Sequence, residues 1–153
     1  SIIAKSFCIP NSALPLSSMY CASKYAIEGM SEALYHELKP FDVKVCLIEP
    51  GGHKTNFRDN MLLAKNSLEE TSAYFKYTKN YSKMLEKKIN KEGTPAINIS
   101  KKILRLLNSN SPALRNPCGI DAMGVFWLKK ILPERVFLFL VNLVSRHLYY
   151  RVG

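Results

Sequence analysis

The sequence predicts an α/β fold built on a parallel sheet, and three observations carry that prediction. The run VKVCLIEP at residues 43–50 is short, rich in β-branched and apolar residues and bounded by turn residues, the profile of a strand buried on both faces. A long helical stretch precedes it, and amphipathic helices follow it. Between those helices lies a proline-limited segment, SPALRNPCGIDA at 111–122, that reads as an edge strand and turn. Helices and strands mixed in this order point to a layered α/β sheet entered partway through.

Residues 1–16 are apolar pieces broken by Pro10, Asn11 and Pro15, read as a strand end and a loop. Ser17 or Ser18 is placed to cap the next helix, which runs from Met19 to about Leu38 and is stopped by Pro40. Ala22, Ala26, Gly29 and Ala33 recur along it, with Tyr25, Met30, Leu34 and Leu38 widening the stripe. Such small residues allow another backbone to approach closely, within the fold or across a subunit contact. After the strand at 43–50 comes the glycine-rich loop GGHKTNF. Residues 58–92 predict an amphipathic helix whose stripe contains Tyr74, Tyr77, Tyr81, Met84, Leu85 and Ile89, opposite a solvated basic face. Gly93, Thr94 and Pro95 break it. NISKKILRLL at 98–107 is a second amphipathic helix. Two terminal helices, roughly 121–132 and 134–148, meet at Pro133, which suits the first position of the second.

Composition narrows the classes. The chain has 153 residues, 47% hydrophobic and 22% charged, which is the profile of a globular domain rather than a disordered one. Its net charge of +10 raises the question of anionic partners. Cys8, Cys21, Cys46 and Cys118 form no paired zinc-type spacing and are read as reduced, buried thiols, which suits a cytoplasmic protein; no metal is expected. The longest apolar run, VFLFLV at 136–141, is far short of the ~20 residues a membrane-spanning helix needs.

Tyr20 and Lys24 are four residues apart near the start of the first helix and so share one face. A free phenol, with a pKa of ~10, is a poor base at neutral pH. A cation held nearby favours the phenolate and suits the group to moving a proton to or from an alcohol or carbonyl oxygen.

The context of this pair resembles the short-chain dehydrogenase/reductase family. The matching features of YCASKYAIEGMSEALYHELKPFDVKVCLIEPGGHKTNF are Y-x-A-S-K, a small-residue helix ending in E-L-K-P, the strand V-K-V-x-x-I-E-P-G and a closing K-T. RNPCGIDAMGVFWLKKILPERVF is similar to the R-x-P-x-G-x-D-A stretch and terminal helices of steroid- and retinol-dehydrogenase-like members. The resemblance touches most of residues 1–57 and 111–140 and implies a Rossmann-like, doubly wound parallel sheet, of which this chain holds the carboxyl-terminal portion. It further implies an oxidoreductase using NAD or NADP on an alcohol and its carbonyl.

By that resemblance Tyr20 is the general acid/base, and Lys24 lowers its pKa and binds the nicotinamide ribose. Pro50, Gly51, His53 and Thr55 lie against the nicotinamide and diphosphate, His53 through its backbone. The family serine is Ser1, with Ser6 as the alternative; Ser6 lies just off the usual spacing, and Ser1 begins SIIAK, which resembles the start of the serine loop. The family's T-G-x-x-x-G-x-G turn and N-A-G strand end do not occur in the chain, so it is expected to be the carboxyl-terminal half of a longer enzyme, weakly active on its own. Residues 57–93 would cover a bulky apolar alcohol or ketone, and residues 121–153 form the terminal helices. The complete protein is expected to be a homo-oligomer with peripheral membrane contact and no nucleic-acid partner. The rival reading is a non-catalytic basic module, in which Lys79, Lys83, Lys87, Lys88 and Lys91 bind nucleic acid or acidic lipid.

Overall fold

The structure, a computed structural model, describes residues 2–5, 13–54, 59–87 and 93–147. Strand β1 (Ile2–Lys5) leads into helix α1 (Ser18–Leu38), which a short 3₁₀ turn at Lys39–Phe41 closes. Pro40 cannot donate a helical hydrogen bond, and Asp42 takes the left-handed conformation with φ 53°, so the chain turns out of the helix there. Strand β2 (Val45–Pro50) follows, and all six of its residues are buried. A two-residue strand β3 (His53–Lys54) pairs in parallel with β4 (Thr94–Pro95). Between them lie a 3₁₀ turn at Lys65–Leu68 and helix α2 (Phe75–Glu86). Helix α3 (Ile97–Leu107), strand β5 (Arg115–Cys118), and helices α4 (Ile120–Ile131) and α5 (Glu134–Ser145) complete the order.

The main sheet runs β1-β2-β5 with both pairings parallel, in register Ile2 with Val45 and Pro50 with Cys118. Strand β2 is thus central and β5 lies at an edge, as the two prolines in the 111–122 segment require. Because side chains alternate along a strand, β2 presents two faces. Cys46 and Ile48 pack with Ile99, Ile103 and Leu106 of α3 and with Cys118. Val45, Leu47 and Glu49 point the other way, and α1 also packs against β2. Helices on both faces of a parallel sheet make the doubly wound architecture.

Four expectations are corrected. Ser17 occupies the N-cap of α1 but makes no capping bond; its Oγ is instead 2.7 Å from the Tyr81 hydroxyl. The small-residue stripe of α1 faces outward, which removes an approach within the fold and leaves the subunit contact of its two readings, because the buried positions are Cys21, Glu28 and Ser31. Among the described residues helix α2 begins only at Phe75 rather than near residue 58, and Tyr74, expected on its stripe, is exposed. Pro133 caps α5 from just outside rather than filling its first turn.

Candidate active site

Strands β1 and β2 are parallel and α1 connects them, so α1 runs back along the sheet. Its first turn and the loop after β2 therefore lie at the same, carboxyl edge of the strands, where open α/β sheets bind ligands. Arg115 links the elements that carry them. Its Nη1 donates to Glu28 Oε2 of α1 at 2.8 Å and to Glu49 Oε1 of β2 at 3.0 Å, while Nη2 reaches Glu32 Oε2 at 3.4 Å. From Glu28 back to Tyr20 is a helical rise of ~12 Å. Strand β2 ends at Pro50, one residue past Glu49, and the glycine loop begins there. One guanidinium thus ties α1 to the strand that feeds the glycine loop.

Within α1, Tyr20 and Lys24 are both half-buried, and Lys24 Nζ sits 5.5 Å from the centroid of the Tyr20 ring. The spacing that put them on one face also brings the ammonium over the ring, a range where cation and π-system attract. Ser23 Oγ donates to the Tyr20 carbonyl at 2.7 Å. The buried bond between Ser17 Oγ and Tyr81 brings α2 against the first turn of the same helix.

The second component is the loop that β2 feeds. Pro50 is buried, and Gly51 and Gly52 follow with no side chains, the Asp121 carboxylate filling the place beside Gly51. Gly51 N–H donates to the Cys118 carbonyl at 2.9 Å, and Thr94 N–H donates to the Gly52 carbonyl at 2.9 Å. His53 is buried, with Nδ1 3.1 Å from the Gly51 carbonyl. A carbonyl can only accept, so Nδ1 is the donor in this contact, and Nε2 lies 3.9 Å from Cys118 Sγ. The imidazole is therefore a prop for the loop. Ser1, Ser6 and Thr55 lie outside the described residues, as does Cys8.

Burial shapes the charges. Desolvation pushes the Glu49 carboxyl above its usual value, against the pull of the Arg115 bond and charge, with the neighbouring Glu28 adding to the rise. Its Oε2 has no hydrogen-bond partner among the described residues. Burial also works against the charge on Arg115, but the bonds from Glu28 and Glu49 outweigh it and hold the proton more firmly than usual. The Cys118 thiol is pushed up chiefly by burial and is a packing residue here.

Sequence reasoning singled out Tyr20, Lys24, Pro50, Gly51 and His53, which the fold sets along one edge of the sheet. It missed Arg115, Glu28, Glu49 and Asp121. A signal existed for two of them: an acid inside the apolar run of β2 needs a buried cation, and R-x-P-x-G-x-D-A supplies one on the adjacent strand.

A doubly wound parallel sheet with the Tyr20–Lys24 pair and a glycine loop at its carboxyl edge belongs to the Rossmann-like class of fold. Comparison with known proteins makes the class specific. The short chain dehydrogenase family matches residues 2–66. A 3-ketodihydrosphingosine reductase of Bacteroides thetaiotaomicron is 33% identical over 108 residues, 69% of this chain and 39% of that protein. A probable short-chain type dehydrogenase/reductase of Helicobacter pylori is 34% identical over 125 residues, 82% of this chain and 45% of that protein. Retinol dehydrogenase 7 of Rattus norvegicus is 32% identical over 127 residues, covering 77% of this chain and 40% of that protein. Among solved structures, a short-chain dehydrogenase from Streptomyces avermitilis superposes with a TM-score of 0.65 at 24% identity, over 95% of this chain and 51% of that one. The chain belongs to the short-chain dehydrogenase/reductase family, and it spans between 39% and 51% of the length of these proteins.

Proposed function

We propose that this chain carries the proton-transfer end of an oxidoreductase that interconverts an alcohol and its carbonyl with NAD or NADP. The observation that carries the reading is Lys24 Nζ, 5.5 Å from the Tyr20 ring, on the turn that faces the carboxyl edge of the sheet. In the oxidative direction the Tyr20 phenolate takes the proton of the substrate hydroxyl, and in reduction the phenol returns it to the carbonyl oxygen. The Lys24 ammonium beside the ring favours the phenolate and offers donors to a ribose hydroxyl. Ser1, or Ser6 in its place, holds the substrate oxygen. The residues present suit a nicotinamide cofactor: Pro50, Gly51, His53 and Thr55 belong to the loop past β2, beyond the carboxyl end of a parallel strand, where open α/β sheets bind such ligands. When bound, the nicotinamide gives or accepts the hydride that leaves or joins the carbinol carbon.

The substrate is a bulky apolar alcohol or ketone, of the steroid, retinoid or fatty class. Two relatives named for a ketodihydrosphingosine and a retinol support this class, as does a segment 57–93 that brings Tyr81 to the first turn of α1. The outward small-residue face of α1 is the subunit contact of a homo-oligomer. Exposed Trp127, Ile131 and Phe139 on α4 and α5 supply a peripheral membrane contact. Among the described residues, no helix is long and apolar enough to cross a membrane. The buried free thiols Cys21, Cys46 and Cys118 suit a cytoplasmic enzyme.

The test is Tyr20→Phe in the complete protein. Turnover should fall by ~10²–10⁴ while NAD(P)H still binds with nearly unchanged affinity. Retained turnover would remove Tyr20 from the chemistry.

A further inference from the structure

Gly51 and Gly52 expose four backbone polar groups, and the chain satisfies every one. Three are met by main chain or from within the loop: Gly51 N–H by Cys118, Gly52 C=O by Thr94, and Gly51 C=O by His53. The fourth, Gly52 N–H, donates to the carboxylate of Asp121 at 2.7 Å, across 69 residues of sequence. This is the shortest of the four and the only one made by a side chain from a distant element. Asp121 sits in the first turn of α4, where the helix dipole favours a negative charge. Its carboxylate also occupies the place that a Cβ on Gly51 would take, so Gly51 and Asp121 require each other.

We infer that Asp121 is a positioning residue for the nicotinamide cofactor: through Gly52 N–H and the space beside Gly51 it sets the backbone ledge on which the cofactor rests. The inference rests on the reading of the Pro50–Thr55 loop given above. Asp121 touches neither substrate nor cofactor, and its influence is felt in affinity rather than in the chemical step. Without the carboxylate, Gly52 N–H loses its acceptor and two adjacent glycines are free to turn.

The experiment compares the complete wild-type protein with Asp121→Ala, Asp121→Asn, Gly51→Ala and the double variant Gly51→Ala/Asp121→Ala. NAD(P)H affinity is read by fluorescence titration, kcat and KM by steady-state kinetics, and folding by urea midpoint. Freeing the loop backbone leaves more order to be imposed when the cofactor binds, so the cofactor Kd and KM should rise by ~10- to 100-fold. The kcat at saturating cofactor should stay within about twofold, while the urea midpoint falls somewhat because the lost bond is intramolecular. Asp121→Asn, which keeps an acceptor oxygen, should recover most of the affinity. Gly51→Ala should weaken binding by itself, yet add little in the Asp121→Ala background, because the clash it creates is gone. Should Asp121→Ala not fold, Asp121→Glu carries the same expectation, since the longer side chain cannot meet Gly52 without displacing Gly51.

A wild type that binds NAD(P)H together with an unaltered Kd in the folded Asp121 variants overturns the inference alone. So does additivity of the two single changes. A wild type that binds no NAD(P)H overturns both this inference and the proposed function.

Discussion

Strand β2 and helix α2 are held in place by opposite means. Every residue of β2 is buried, its backbone is paired on both sides, and Glu49 ties it through Arg115 to α1. Helix α2 buries Thr78 and Tyr81 among the described residues, leaves Lys79 and Lys83 exposed, and places Tyr81 against Ser17 at the start of α1. The family match ends at residue 66, before α2 begins. The contrast separates a fully buried, doubly paired strand from a helix with two buried residues. Tyr20, Lys24 and the glycine loop stand on the frame that the strand anchors.

The largest expected effect comes from breaking the frame. Arg115→Met in the complete protein leaves Glu28 and Glu49 buried without their cation. Loss of one partner of a buried ion pair costs about 3–5 kcal/mol, which a urea or thermal melt would reveal as a large drop. A change below 1 kcal/mol would show that the frame does not depend on this tie.

A smaller effect is expected at the other anchor. Tyr81→Phe removes the hydroxyl that meets Ser17, a loss of about 1 kcal/mol, and should speed proteolytic cutting within 59–87 while leaving cofactor affinity alone. Equal protection of the two regions in this variant would dissolve the contrast.

The smallest effect is one of slope. The folded-state value of Glu49 is raised above its ordinary 4.5, so between the two values the native state holds more proton than the unfolded chain. Stability therefore falls as pH rises through that window and is greater on its acid side. Glu49→Gln should flatten this part of the urea-midpoint profile measured across mildly acidic pH. An unchanged slope would locate the titration elsewhere.

Much of the frame was legible in order along the chain. The buried strand, the proline stops, the edge position of β5 and the pairing of Tyr20 with Lys24 all follow from periods of two and 3.6 residues and from what proline cannot donate. The side of α1 that meets the sheet was not legible. Its small-residue stripe looked like a packing face, yet Glu28, the less apolar choice, is the buried one because Arg115 waits beneath it. The candidate site divides along the same line. Tyr20 and Lys24 are local neighbours on one helix, so their spacing decided their meeting.

Arg115 reaches Glu28 across 87 residues and Glu49 across 66, and Asp121 reaches Gly52 across 69. No periodicity encodes such meetings. They arise when parallel pairing sets β5 beside β2 in one register, placing Arg115 opposite Leu47 and Cys118 opposite Pro50. The chain's own pattern therefore settled that Tyr20 and Lys24 share one helix face. The sheet register decided which side chains hold the neighbouring loop and at what level, because that depends on how distant segments align.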